Sequence, residues 1–217
     1  MNSRMSAEQG DLWDLMSTNR AFRRFTDEPV DDALLRRCLE AATWAPSGGN
    51  LQPWRFVLLR SPQSRQALSV AAERALVHIR RQYGFEAPGE SHDPPSTREI
   101  MIRDLFRIHQ SAADVPAAVL FCTRFTEGVP LLLQGASIYP AMENFLLAAR
   151  AQGLGTLVTG WHVSGEAELR ESVGVPEEWQ LAALVVVGRP DGKFTKVRRK
   201  PVSQVACIDR WSELLSD

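Results

Sequence analysis

Three stretches carry side chains whose types and spacing suit an anionic, planar ligand. The first runs Asn19, Arg20, Ala21, Phe22, Arg23, Arg24, with three guanidinium groups in five residues beside a helix end. Such a cluster grips a phosphate through several charge-assisted bonds, or else forms a solvated basic turn. The second is APSGGNLQPWRF, from Ala45 to Phe56. Its turn of small residues (Pro46, Ser47, Gly48) leaves backbone amides open to a ligand, and Asn50 and Gln52 can read polar ring edges. The same stretch also reads as a helix stop followed by a strand start. The third, Val197 to Lys200 (VRRK), is a second cationic contact or a solvated tail.

Other chemistries lack their pattern. Gly153 and Gly155 lie between a helix and a strand, the reverse of the strand-to-helix order that a dinucleotide-binding turn requires. There is no GxxxxGK[ST] loop and no CxxC, and Ser47 lies outside a G-x-S-x-G elbow. His78, His92, His109 and His162 show no metal-ligand spacing, so no metal is expected.

These stretches need elements to position them. A short helix is expected over Gln9 to Ser17, and a second starts at Asp31 or Asp32 and ends at Pro46. Strands are expected at Trp54 to Arg60, Ala117 to Arg124, Thr156 to Trp161 and Leu181 to Gly188. Helices are expected from Pro62 to Arg81, from Leu131 with a kink or restart at Pro140, and over Gly165 to Ser172. The helix from Leu131 is apolar enough to require burial on most faces. Residues 82–100, rich in Pro and Gly, read as a lid or insertion, and Trp161 and His162 as a wall of a substrate pocket or as core. Helices around one sheet give an α+β class.

Composition limits the partners. The 217 residues are 44% hydrophobic and 24% charged, which suits one globular domain, 1–217. A net charge of -1 gives no field to attract nucleic acid or an anionic membrane. No apolar run approaches the roughly 20 residues that span a bilayer. Three widely spaced cysteines, Cys38, Cys122 and Cys207, suit buried thiols in a reducing compartment, so a cytoplasmic location is expected. The apolar tail, about 189–217, needs covering either by its own domain or by a partner.

Taken in this order, the segments resemble the FMN-dependent nitroreductase family from about Ser17 to Gln204. The blocks are RAFRRFTDEPV, LLRRCLEAATWAPSGGNLQPWRFVLL, AMENFLLAARAQGLGT, VTGW, VVGRP and RRKPVSQV. The resemblance implies a homodimeric α/β/α sandwich with a central, mostly antiparallel sheet, FMN at the subunit interface and the tail on the partner. It places Arg20, Ala21, Arg23 and Arg199 at the FMN phosphate. It places Pro46, Ser47, Gly48 and Asn50 against the flavin from across the dimer, and Thr159 and Gly160 facing flavin N5 through backbone. No side chain is implied as acid or base. Asn19 and Ala21 depart from the family's R-R-S-V-R, which implies FMN binding weaker by about 1.5–3 kcal/mol per lost charged contact unless Arg24 or Arg198 compensates. The implied activity is ping-pong hydride transfer from NAD(P)H through FMN to a small aromatic or quinone-like acceptor. The alternatives are a flavin-consuming or dehalogenating enzyme, a non-catalytic flavin-binding protein, or an anion-binding module without flavin.

Overall fold

The computed structural model describes residues 11–215, apart from 85, 88 and 90–93. Four strands form one sheet: β1 (Trp54–Leu58), β2 (Ala117–Arg124), β3 (Gly155–Thr159) and β4 (Trp179–Gly188). Their order is β1-β2-β4-β3 and every strand pairing is antiparallel. A parallel bridge, Ala21 to Thr156, adds the arginine run to the β3 edge. The expected mostly antiparallel sheet is therefore found.

Alternation along the central strands divides the core into two layers. Val119, Phe121, Val185 and Val187 face α2 (Asp32–Thr43) and α5 (Leu131–Ala151). Leu120, Leu184 and Val186 face α3 (Pro62–Tyr83), with Trp161 and Leu169 from α6 (Trp161–Ser164) and α7 (Glu166–Val173). Both faces are covered, so these strands read in sequence as unbroken apolar runs. The helix starts are legible too: Asp31 accepts from Ala33 N–H at 2.8 Å, and Ser61 with Pro62 opens α3.

Two expectations change. A helix, α4 (Thr97–Gln110), begins inside the stretch 82–100 read as a lid or insertion and runs on through residues for which no element is expected, opened by a capping box in which Ser96 and Glu99 exchange hydrogen bonds. Pro140 neither breaks nor restarts α5, which runs through it. As expected, α5 is covered on most faces: Ile138, Ala141, Phe145 and Ala149 point inward, and its exposed residues, Leu132 (91%) and Leu133 (62%) with Ala136, Tyr139 and Glu143, lie along one stripe. The expected helix over Gln9 to Ser17 is α1 (Leu12–Thr18), and its first two residues lie outside the described residues, as does His92.

Cys38 and Cys122 are buried free thiols, whereas Cys207 is exposed. Burial pushes both buried thiols up to about 11, Cys38 despite a 2.9 Å hydrogen bond from Gln152 Nε2. A raised thiol pKa keeps the folded form protonated while the unfolded chain ionises. Stability is therefore expected to fall as pH rises from about 9 to 11. Urea midpoints at pH 8 and pH 10.5 check this, and Cys38→Ser with Cys122→Ala should flatten the decline.

Candidate active site

A cavity of about 330 Å³ opens where β3 ends, between α3, α4 and α6. The sequence pattern extends the strand to Trp161, but β3 stops at Thr159. Gly160 turns the chain at φ -89°, ψ 10°, and Trp161 N–H donates to Thr159 Oγ1 at 3.4 Å. Thr159, Gly160 and Trp161 line the cavity with Arg23. A Cβ on Gly160 would meet nothing within 4 Å, so a flat ring can approach the backbone there.

Arg23 is half-buried and makes no ion pair among the described residues. Burial lowers its pKa, Asp104 opposes that shift and Arg20 reinforces it. A guanidinium so placed calls for an anion. The run is fixed by Phe22 N–H donating to Thr156 O at 2.9 Å. Arg20 points instead to the tail, donating to Thr195 Oγ1 at 2.9 Å, and lies 5.4 Å over the Phe22 ring. Ala21 is exposed beside it.

The tail reaches this region where Val197 N–H donates to Ser17 O at 2.8 Å. Arg199, two residues on, is exposed and donates to the Arg198 carbonyl, so its guanidinium is not brought to Arg20 or Arg23 by a direct contact. Arg24 does not take the place of Asn19, because it is engaged by Asp191, with Nε to Oδ2 at 3.0 Å.

The second stretch forms a separate groove of about 440 Å³, lined by Pro46, Ser47 and Gly48 with Arg124 and the start of α5. Three residues there take left-handed backbone, Gly49 (φ 58°), Asn50 (φ 54°) and Gln52 (φ 48°). Left-handed Asn and Gln store strain of the kind held at binding sites. Ser47 Oγ holds the turn by accepting from Gln52 N–H at 3.0 Å, and Asn50 is exposed.

The cavity and this groove lie on opposite faces of the sheet, one under α3 and the other under α5. The groove meets the sheet at Thr123 and Arg124 of β2, whereas the cavity meets it at Leu157 to Thr159 of the edge strand β3, with β4 between the two strands. One ring cannot touch both within a single chain.

The implied flavin fits these residues. An unpaired, half-buried cation meets its anionic parts, open backbone at Gly160 admits its ring, and apolar walls from Ala75, Ile79, Leu105 and Ile108 exclude water. Of the two expected wall residues, Trp161 is both, 1% exposed in the core and lining the cavity. His162 is not among the lining residues, and its Nδ1 is buried without a hydrogen-bond partner among the described residues. Sequence reasoning missed His109, Leu105 and Ile108, whose i, i+3, i+4 spacing on α4 was the available signal.

Fold and cavity together define an oxidoreductase of the nitroreductase type. Residues 17–189 match the Nitroreductase family, and the chain belongs to it. It is 29% identical over 206 residues to a protein named NADH dehydrogenase from Thermus thermophilus, covering 86% of this chain and 90% of that one. It is also 29% identical over 191 residues to the 5,6-dimethylbenzimidazole synthase of Rhodospirillum rubrum, covering 81% and 80%. In three dimensions it resembles the FMN and NADPH-dependent nitroreductase of Sphigopyxis sp. strain HMH, with a TM-score of 0.67, 21% identity and coverage of 92% and 99%.

Proposed function

We propose that the protein is an FMN-dependent NAD(P)H oxidoreductase that works as a homodimer. The observation that carries this reading is the pairing, in one cavity, of the unpaired Arg23 with the open backbone at Gly160. FMN, when bound, supplies hydride acceptance from NAD(P)H and hydride donation to a small aromatic or quinone-like acceptor that takes the donor's place, a ping-pong cycle.

The chain's own residues bind, orient and exclude water. Arg23 places a positive charge beside the ring-facing backbone of Thr159 and Gly160, a ring role in place of the phosphate role that the resemblance implies, and we assign the phosphate end to Arg20 and to Arg199, which must leave the Arg198 carbonyl to reach it. Pro46, Ser47, Gly48 and Asn50 of a second copy complete the site, because the sheet separates them from the cavity within one chain. Exposed Leu132, Leu133 and Leu51 around that groove supply apolar surface for such an interface. Free buried Cys38 and Cys122 suit a reducing, cytoplasmic setting.

The visible spectrum of the purified protein with FMN, followed by anaerobic NADH or NADPH, tests the reading. Bound flavin that bleaches is expected. Flavin that stays oxidised would favour a binding protein, and stoichiometric loss of flavin on reoxidation would favour a flavin-consuming enzyme. Arg23→Ala should weaken FMN binding by about 1.5–3 kcal/mol, roughly 10- to 150-fold in Kd, read by fluorescence quenching.

A further inference from the structure

His109 is 4% exposed, lines the cavity beside Arg23 and Gly160, and has no part in the assignments above. Two contacts lock its ring. Its Nδ1 lies 2.7 Å from the Leu105 carbonyl, one turn back on α4. Its plane meets Trp161 edge-on, with centroids 5.3 Å apart at 67°. A carbonyl only accepts, so Nδ1 carries the proton and donates to it. Burial keeps the ring neutral by lowering its pKa; the Leu105 carbonyl opposes this and the nearby Arg23 reinforces it. A neutral imidazole protonated at Nδ1 has a bare lone pair on Nε2. That atom has no partner among the described residues.

We infer that Nε2 of His109 is a fixed hydrogen-bond acceptor for an N–H or O–H on the edge of the aromatic ring that occupies this cavity. This rests on the flavin reading of the site. Arg23 offers only donors and His109 only an acceptor, so the cavity presents a mixed pair to a ring edge that carries a carbonyl or anionic oxygen together with a donor. Two molecules bring such an edge: flavin, through its imide N–H, and an acceptor bearing a hydroxyl or amino group. If flavin takes Nε2, the acceptor is free to be a nitroarene or quinone; if the acceptor takes it, a bare nitroarene or quinone, which has acceptors alone, leaves Nε2 unsatisfied and is disfavoured against one bearing a hydroxyl or amino group.

Methylation of the donor separates the two sources. Fluorescence quenching compares FMN with N3-methyl FMN, and kcat/KM compares 4-nitrophenol with 4-nitroanisole, in wild type, His109→Phe and His109→Gln. Phe keeps the edge contact with Trp161 but removes the nitrogens, and Gln restores an acceptor. Wild type should lose about tenfold on methylation in one pair, Phe should not, and Gln should regain part of the loss. Loss in the first pair assigns Nε2 to the flavin imide, and loss in the second to the acceptor. Equal discrimination by wild type and Phe in both pairs overturns the inference.

Nitrogen NMR of the histidine rings gives a readout without turnover. An unprotonated Nε2 signal of His109 that shifts on adding FMN or 4-nitrophenol is expected. A protonated Nε2, or a signal that moves with neither, overturns the inference. A wild-type protein that binds no flavin defeats the flavin reading instead, and the response of Nε2 to 4-nitrophenol still decides this one.

Discussion

Ending the chain at Arg189 is expected to yield a monomer that does not retain flavin. Two sets of contacts are lost together. Phe194 stacks edge-on against Phe22 at 5.1 Å and lies under the Arg150 guanidinium at 4.0 Å, while Thr195 and Val197 tie down Arg20 and Ser17. These contacts orient the arginine run that the flavin reading needs. Beyond them, Val202, Val205, Ile208 and Trp211 turn outward, Trp211 at 95% exposure, with too little of their own domain to cover them. An apolar strip of this kind at a chain end fits a partner surface. A second truncation at Lys200 keeps Phe194, Thr195, Val197 and Arg199 but removes the strip. It should bind FMN more weakly and run as a monomer. Light scattering gives the mass and the absorbance at flavin wavelengths gives occupancy; a stable yellow dimer from the shorter chain would refute the tail's role.

The layers of the fold were legible because each carries a strong local signal. Central strands β2 and β4 are covered on both faces, so they read as continuous apolar runs, and capped, periodic α2 and α3 were equally plain. α4 was missed although Ser96 and Glu99 stand at capping-box spacing, because Pro94 and Pro95 immediately before it gave the segment the look of a loop. The site was legible only in part, for a related reason. Residues proposed to meet flavin through backbone or through the turn of the chain, such as Gly160 and Gly48, sit in recognisable motifs. His109 shares a helical face with Leu105 and Ile108, a spacing visible in the sequence, but its place in the cavity comes from tertiary position, since α4 must fold over α3 before its imidazole meets Trp161. Spacing along the chain likewise says nothing of where a long side chain points. Arg24 is one residue from Arg23, yet the two diverge to Asp191 and to the cavity.

Gly165→Ala is expected to destabilise the protein more than a methyl group on an exposed helix end would suggest. Gly165 joins α6 to α7 and lies directly against α3. A Cβ there would stand 2.6 Å from Ala71 Cα and closer still to its Cβ. The obstruction includes backbone, so no side-chain rotation relieves it, and α3 must move away from α6. Overpacking of this kind costs about 1–3 kcal/mol and more where backbone is the obstacle, or a fall in Tm of several degrees for a chain of this length. The same displacement reaches the cavity, because α3 contributes Ala75, His78 and Ile79 to its wall and α6 contributes Trp161 and Val163. FMN affinity should therefore fall together with Tm. Ala71→Gly in the Gly165→Ala background removes the opposing methyl and relieves its share of the contact. Partial recovery of both quantities would locate the effect at this helix crossing, whereas a Gly165→Ala protein with unchanged Tm would show that the two helices can part without cost.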